Sequence, residues 1–524
     1  MFADAVAPSP MAADAYEAAP EQCAPLISPL RSLEAQQRTP SDVEALLEGE
    51  GRALRRRLLH AHLDERSPGT VTEPVIDADG RRHTHQRTPT RHLRTIFGEV
   101  DVTRTGYGGR GTESVPPLDA ALHLPPERSA PGVRQRVAVE AAQRSCDDVV
   151  ATSATTTGAH GPKRQAEQRV AYAAQDLHAL YDTRRCATPQ EVPRPSRVLV
   201  LTVAGQGVPR RTADLRAGTR RAAEAHPPPR CPRRTSGERA HTKRMATVAA
   251  VETIAAWVRT PEEIGREWPP APGGMPARPR PEAKRVWASL AQPPAAVIDQ
   301  AFEKAERRDP QPTKQWGALV DGNPTPLGLL SAAAAAYGVT LCIILALLHV
   351  LQYLWKAARA LHPPGTLGAE TWVAVRLEQL LRGRSQDVAA GMRRRATWRG
   401  LTEEQRAPVE PCANSLLQYA DCLHDDVYLA VGVPSATGGI AGACRPLVND
   451  RMAVPGARGS LDGAAAVLRL RALWVSGALE VSWPLHLAQE PKRHHTTRYA
   501  DGKGPSPQPQ PERQGKGAPL RLSK

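Results

Sequence analysis

The sequence predicts an α/β fold, and three stretches carry that prediction. Val198 to Val203 is a continuous apolar run, the pattern of a strand covered on both faces. Trp316 to Val320 is a second run of strand length, halted at once by Asp321, Gly322, Asn323 and Pro324. Behind it a helix-forming segment, Leu327 to Tyr337, leads to a third, β-branched run from Val339 to Leu348, so the local order is strand, helix, strand. Ligands collect outside the carboxyl ends of strands in open α/β sheets, which is where Asp321 stands. The plainer alternative is that Asp321 caps the helix that follows.

From the N-terminus, residues 1–39 are Ala-, Pro- and acid-rich without period and read as disordered. Residues 40–70 become helical, with Ser41 and Asp42 as cap candidates and Leu46, Leu47, Leu54, Leu58 and Leu59 as the apolar face. Residues 71–130 turn extended, and the alternation around Gly98 from His92 to Arg104 is a hairpin signature. Residues 131–190 hold a cluster of short helices. Val133 to Gln143 is followed by Asp147 to about Thr157 behind a Ser145–Asp148 capping box, then by a turn at Gly158 to Gly161 and a basic helix with Pro162 at its first position. That order matches a helix-turn-helix, whose last helix enters the major groove. Lys163, Arg164, Gln165 and Arg169 are then the expected contacts to DNA phosphates or base edges. Any three-helix bundle with a wet basic face fits the pattern equally well.

Residues 191–491 read as the α/β core. Its first strand ends in Ala204-Gly205-Gln206-Gly207, which lacks the third Gly and the Lys of a phosphate loop. Arg210 to Arg244 is a basic, Pro-rich loop, Met245 to Val251 a strand, Pro261 to Pro281 a linker-like insertion and Ala283 to Arg308 a helix. Gly368 to Ala430 is helical, giving an insertion over about 350–430, and a further helix spans Leu461 to Leu473. Residues 492–524 form a basic tail, expected to be disordered; His494 and His495 have no further metal ligand in sight.

Lys and Arg outnumber Asp and Glu by 69 to 54, a net charge of +15 that favours a polyanionic partner, nucleic acid first. The eight Cys include no Cys-x-x-Cys pair and no secretory signal precedes them, so a reducing cytoplasm and no zinc finger are expected. Leu327 to Trp355 carries no acidic or basic residue and is long enough to span a bilayer. Gly338 and Thr340 divide it, however, and His349 and Gln352 suit a buried helix, strand and helix better, so no membrane partner is expected.

Eight stretches together resemble one family. They are Arg91 to Val100, Pro162 to Glu167, Lys243 to Val251, Lys284 to Leu290, Ala318 to Asn323, His349 to Ala358, Gly442 to Arg445 and Val467 to Leu473. In this order they look like the ISKra-type (Kra-four group) bacterial insertion-sequence transposases, over most of residues 70 to 501. The resemblance implies a helix-turn-helix that binds double-stranded DNA at the element's terminal inverted repeats, in the cytoplasm and at the nucleoid, with a homo-oligomer possible. It also implies a ribonuclease-H-like core of the DDE class that cuts and joins strands with Mg²⁺. Two such ions about 4 Å apart clamp the attacking and leaving oxygens of an in-line displacement, and several carboxylates are needed to hold them.

At the positions matching the family's three acids this chain has Ala204, Asp321 and Ala441. Further acidic positions of the family correspond to Ala346, Gln352 and Ala453. A methyl group offers no lone pair to a metal, so Asp321 is the surviving catalytic and metal-ligating acid, and Mg²⁺ binding is expected to be lost or weak. Asp214, Asp450 and Asp462 are near in sequence but would need a register shift to substitute. The leading expectation is a transposase by descent that binds DNA without cutting it. An active enzyme using unconventional ligands and a non-enzymatic basic scaffold are the alternatives.

Overall fold

The computed structural model describes residues 18–32, 37–109, 111–157, 161–176, 197–225, 242–266, 279–363, 365–434, 442–452 and 460–508. Contacts divide the chain into two units, Met1–Leu180 with Glu480–Lys524, and Tyr181–Leu479.

The first unit begins with α1 (Ala18–Arg31), where disorder was expected. Pro25 and Pro29 inside it argue against a helix locally; packing against α2 (Pro40–Arg66) is the non-local contact that composition does not reveal. Neither Ser41 nor Asp42 caps α2. Thr39 does, its hydroxyl accepting from the Asp42 amide at 3.3 Å while the Asp42 carboxylate accepts from the Thr39 amide at 3.1 Å. The buried stripe of α2 also lies further along than its Leu pattern suggested: Leu63 is buried and Leu59 half-buried, whereas Leu47 is exposed. These leucines cover the inner face of the hairpin β1 (Thr90–Thr95) and β2 (Gly98–Thr103), meeting Leu93, Val100 and Val102. Burying one such side chain contributes about 1.5–3 kcal/mol. The hairpin turns at Ile96 and Phe97, and Gly98 supplies the φ of +120° that its exit requires.

Helices α3 (Pro131–Gln143), α4 (Cys146–Thr157) and α5 (Lys163–Ala173) follow, packed around Val137, Ala141, Val149, Ala166 and Val170. The Ser145–Asp148 box is made in both directions, at 3.1 and 3.2 Å. Pro162 is the residue before the first helical position of α5 rather than the first position itself.

From Glu480 onward the C-terminal helix (Leu479–His494) and the chain to residue 508 belong to this unit, where a disordered tail was expected from residue 492; residues 509–524 of that tail lie outside the described residues. Composition misled here because the segment folds onto distant residues: Tyr499 bridges to Asp77 and packs with Val71, Val75, Tyr107 and Val115. Arg134, fully buried on α3, donates to Glu490 at 2.7 Å and sits 4.8 Å over the ring of Tyr172. Glu490 also accepts from Arg493 at 2.9 Å, and His486 and Arg493 both engage Asp176.

Three histidines of this region make the unit acid-sensitive. Burial pushes His486 and His494 below the usual imidazole value, and it takes His495 from 6.5 to about 4, with His123, Arg498 and His494 adding to the shift. Folded values under the unfolded one mean that the unfolded chain takes up protons first. Stability is therefore complete above about pH 6.5 and is lost as pH falls toward 4. His495→Gln is expected to flatten the melting temperature across that window; a decline as steep as the parent's would remove this cause.

The second unit is built on a mixed five-stranded sheet. Strands β3 (Arg197–Pro209), β4 (Lys243–Ala255) and β5 (Glu282–Ser289) run antiparallel in turn, while β6 (Gln315–Val320) lies parallel to β3 and β7 (Leu341–Leu345) parallel to β6. The order across the sheet is β7-β6-β3-β4-β5. Residues Val198 to Val203 are buried on both faces, as their apolar run requires. Helix α6 (Pro294–Glu306) lies against β3 and β4, and Tyr428 and Val433 pack with Val198, Val200, Leu319 and Ile344. Helix α7 (Pro324–Ala336) links β6 to β7, and α8 (Leu347–Leu361), α9 (Leu367–Leu381), α10 (Ser385–Trp398) and α11 (Val409–Gln418) form the helical insertion.

Two expectations are corrected. Ala283 to Arg308 is not one helix: its first part is β5, with Val286 and Trp287 buried, and α6 starts only after Pro293. The β-branched and aromatic pair favours the sheet that β4 offers, and Lys304 of α6 lies 4.4 Å over the Trp287 ring. Secondly, β3 does not stop at Ala204. It continues along β4 to the pair Pro209 with Lys243. No described helix is long and apolar enough to cross a membrane.

Candidate functional site

Two strands of unequal reach create the site. The parallel ladder between β3 and β6 ends at Val203 with Val320, whereas β3 itself continues. Past that point the β3 edge has lost its partner, and a backbone N–H there needs another acceptor. Asp321 supplies it: its Oδ2 accepts from the Gly205 amide at 3.2 Å, and its Oδ1 accepts from the Asn323 amide at 3.2 Å. Asp321 is therefore not the cap of α7. Asn323 fills that role, accepting from the Thr325 amide at 3.1 Å.

The strand that delivers Asp321 is anchored at its other end. Buried Asp309 accepts from the Trp316 indole at 2.8 Å and from the Lys314 and Thr313 amides at 2.9 and 3.1 Å. Burial opposes its ionised form, but these donors outweigh it and hold the carboxyl below its ordinary range.

The expected first position, Ala204, is buried and directly precedes Gly205, whose amide Asp321 holds; it falls one residue past the last β3–β6 pair, Val203 with Val320. Ala346 is buried too and donates from its amide to Val320 at 2.9 Å, at the same sheet end; Gln352 is exposed. Ala441 and Ala453 lie outside the described residues. Gly442 to Met452 is described, and Cys444, three residues past Ala441, is within electrostatic reach of Asp321. Burial, with that charge added, pushes its thiol up to about 11.

Two further groups close on Asp321 that sequence reasoning did not assign. His349 of α8 stacks edge-on with Tyr353 at 5.0 Å, and its imidazole is pushed down by burial while Asp321 opposes the shift. Tyr419 donates to the Gly322 carbonyl at 2.5 Å. Gly322, at φ +76°, leaves no room for a side chain, since a Cβ would lie 2.9 Å from His349 Nε2. His349 and Cys444 stood inside stretches that carry the family resemblance, which was the available signal; Tyr419 had none.

Among the described residues these donors do not make a two-metal site. No group of three His, Cys, Asp or Glu among the described residues could hold an ion, and Ala204, which precedes the amide that Asp321 holds, offers no lone pair. Mg²⁺ asks for oxygen ligands in near-octahedral geometry, which a thiol, an imidazole and methyls do not provide. Of the more distant acids, Asp450 pairs with Arg445 at 3.5 Å, and Asp214 gives its backbone oxygen to Arg244 at 2.8 Å. Asp462 lies in the first turn of α12 (Leu461–Val475).

The residues expected to touch DNA are on α5, in the other unit. Lys163 and Arg164 are exposed at its start, Lys163 reaching Asp147 at 2.7 Å. Gln165 is half-buried and accepts from Arg94 at 2.9 Å and from Arg169 at 3.3 Å. Arg169 is buried, so the face available to a ligand is narrower than the sequence pattern suggested. No family model matches the chain and no curated protein matches it.

Proposed function

We propose that this chain is a DNA-binding protein derived from an insertion-sequence transposase, with a ribonuclease-H-like core whose nuclease centre is silent. The observation that carries the reading is the sheet end where Asp321 binds the Gly205 amide at 3.2 Å, with Ala204 the residue before it. An acid at the tip of the fourth strand, next to the first, is the arrangement a DDE core needs, and here the first strand offers no second carboxylate. The mixed five-stranded sheet and the helical insertion after its last strand agree with the core that the resemblance implies. In the first unit the trio α3, α4 and α5, with Lys163 and Arg164 exposed, supports a helix-turn-helix reading, and the net charge of +15 suits a polyanion.

The purified protein is expected to retard duplex DNA carrying the element's terminal repeats, with an affinity that falls steeply as salt rises, and to release no nicked product with Mg²⁺ or Mn²⁺. Strand cleavage by the unaltered chain would return the reading to an active enzyme with unconventional ligands. Absence of any DNA binding at low salt would leave only the basic scaffold.

A further inference from the structure

A solvent-open cleft of 530 Å³ lies in the first unit between α2, the hairpin tip and the end of α4. Arg52 and Arg56 of α2 form one wall, and Arg94, Phe97, Gly98 and Glu99 of the hairpin form the other. Arg52 is fixed by Glu48 at 2.7 Å and donates to the Thr155 carbonyl at 3.4 Å, and Arg136 donates to the Thr156 carbonyl at 3.2 Å. These two cations are explained by the carbonyl end of α4, which attracts positive charge. Arg55 and Arg56 are not. Arg55 lies 5.4 Å over the Phe97 ring, and Arg56 is exposed, runs along Gly98 and pairs with no carboxylate among the described residues.

The cleft is also wired to α5. Arg94 contributes to its wall, is held by Glu99 at 2.8 Å, and extends its Nη1 to Gln165 at 2.9 Å in the first turn of that helix. A row of cations thus leads within one unit from Arg56 past Phe97 in the cleft wall to Arg94, and through Gln165 to the start of α5; Arg94 and Lys163 are each paired to an acid, whereas Arg56 and Arg164 are exposed. Guanidinium groups paired to phosphate and aligned along such a row fix the register of a duplex without reading bases.

We infer that this cleft seats the phosphodiester backbone of double-stranded DNA flanking the segment that α5 meets, with Arg56 as its principal phosphate contact. This rests on the DNA-binding reading above and adds a second contact surface to it.

The test is equilibrium binding by fluorescence anisotropy across a salt series, using the full chain, a random-sequence duplex and a single strand of the same length. Arg56→Ala is expected to weaken binding to the duplex and to shrink the slope of log affinity against log salt by about 1, the loss of one phosphate contact. Over a fourfold rise in salt that is a factor of about 3.5. Arg164→Ala serves as the α5 control. If the unaltered chain binds no duplex, the DNA reading itself fails. If it binds and Arg164→Ala weakens it while Arg56→Ala leaves affinity and slope unchanged, the cleft is not a phosphate seat. If Arg56→Ala weakens only the single strand, the duplex assignment is wrong.

Discussion

Glu490→Leu is expected to destabilise the first unit by about 3–5 kcal/mol, the cost of stripping a buried cation of its partner. The reason lies in Arg134, whose side chain is fully buried and whose guanidinium has no neutral form to adopt. Without Glu490 its nearest carboxylate is Glu127, 3.2 Å from Nε but out of hydrogen-bond alignment, and the Tyr172 face cannot replace a full charge. Arg493 loses the same acceptor and keeps Asp176. The double variant Arg134→Met with Glu490→Leu removes both charges, so it should recover much of the loss, and the cycle separates the pair from its surroundings. Hydrogen exchange on α3 and α5 reads this unit without interference from the other. Unchanged protection in Glu490→Leu, or a double variant as unstable as the sum of the singles, would show that the network does not hold the C-terminal helix in place.

That network was invisible in the sequence, and the reason is general. Helices α3, α4 and α5 were legible because each carries its own start signal, a proline or a Ser–Asp box, within four residues of the first turn. The β1–β2 hairpin was legible because its alternation and its glycine are adjacent in the chain. Glu490 and Arg134 are 356 residues apart, and no local rule links them. The same distinction explains β5, whose strand identity comes from β4 rather than from its own alternation, and Tyr499, which looked like part of a loose tail until Asp77 and Val75 were beside it.

The candidate site divides along the same line. Asp321 on a strand tip followed from five apolar residues and a turn, and the sequence left open whether it served as a cap. Its contact with Gly205, 116 residues away, depends on β3 and β6 being neighbours, and this contact resolves the question against the cap. His349, Tyr419 and Cys444 come from three later segments, and the sheet end and the helical insertion bring them to one place. The Asp321–Gly205 bond also gives the carboxylate a structural task independent of chemistry, because it satisfies an amide that the shorter strand leaves behind.

On the proposed descent, acids placed at Ala204 and Ala441 should change how the core responds to metal. In the unaltered chain Mg²⁺ is expected to leave the unfolding of the second unit where it is, since among the described residues no group of three His, Cys, Asp or Glu could hold an ion with Asp321. In Ala204→Asp with Ala441→Glu, new carboxylates join it. Without metal, burying an acid at Ala204, which is 2% exposed, next to Asp321 costs desolvation and like-charge repulsion, so the variant is less stable than the parent. With Mg²⁺ the sign reverses, because the ion binds the folded arrangement alone and stabilises it by about 2.7 kcal/mol at a hundredfold excess over its dissociation constant. Thermal denaturation with and without Mg²⁺ separates the outcomes: a shift in the unaltered chain ends the silent-centre reading, and none in a folded variant means Ala204 and Ala441 are not the acid positions. The metal-free destabilisation matters as much as the rescue, since it reports two carboxylates forced together at the sheet end even if the third position is misassigned.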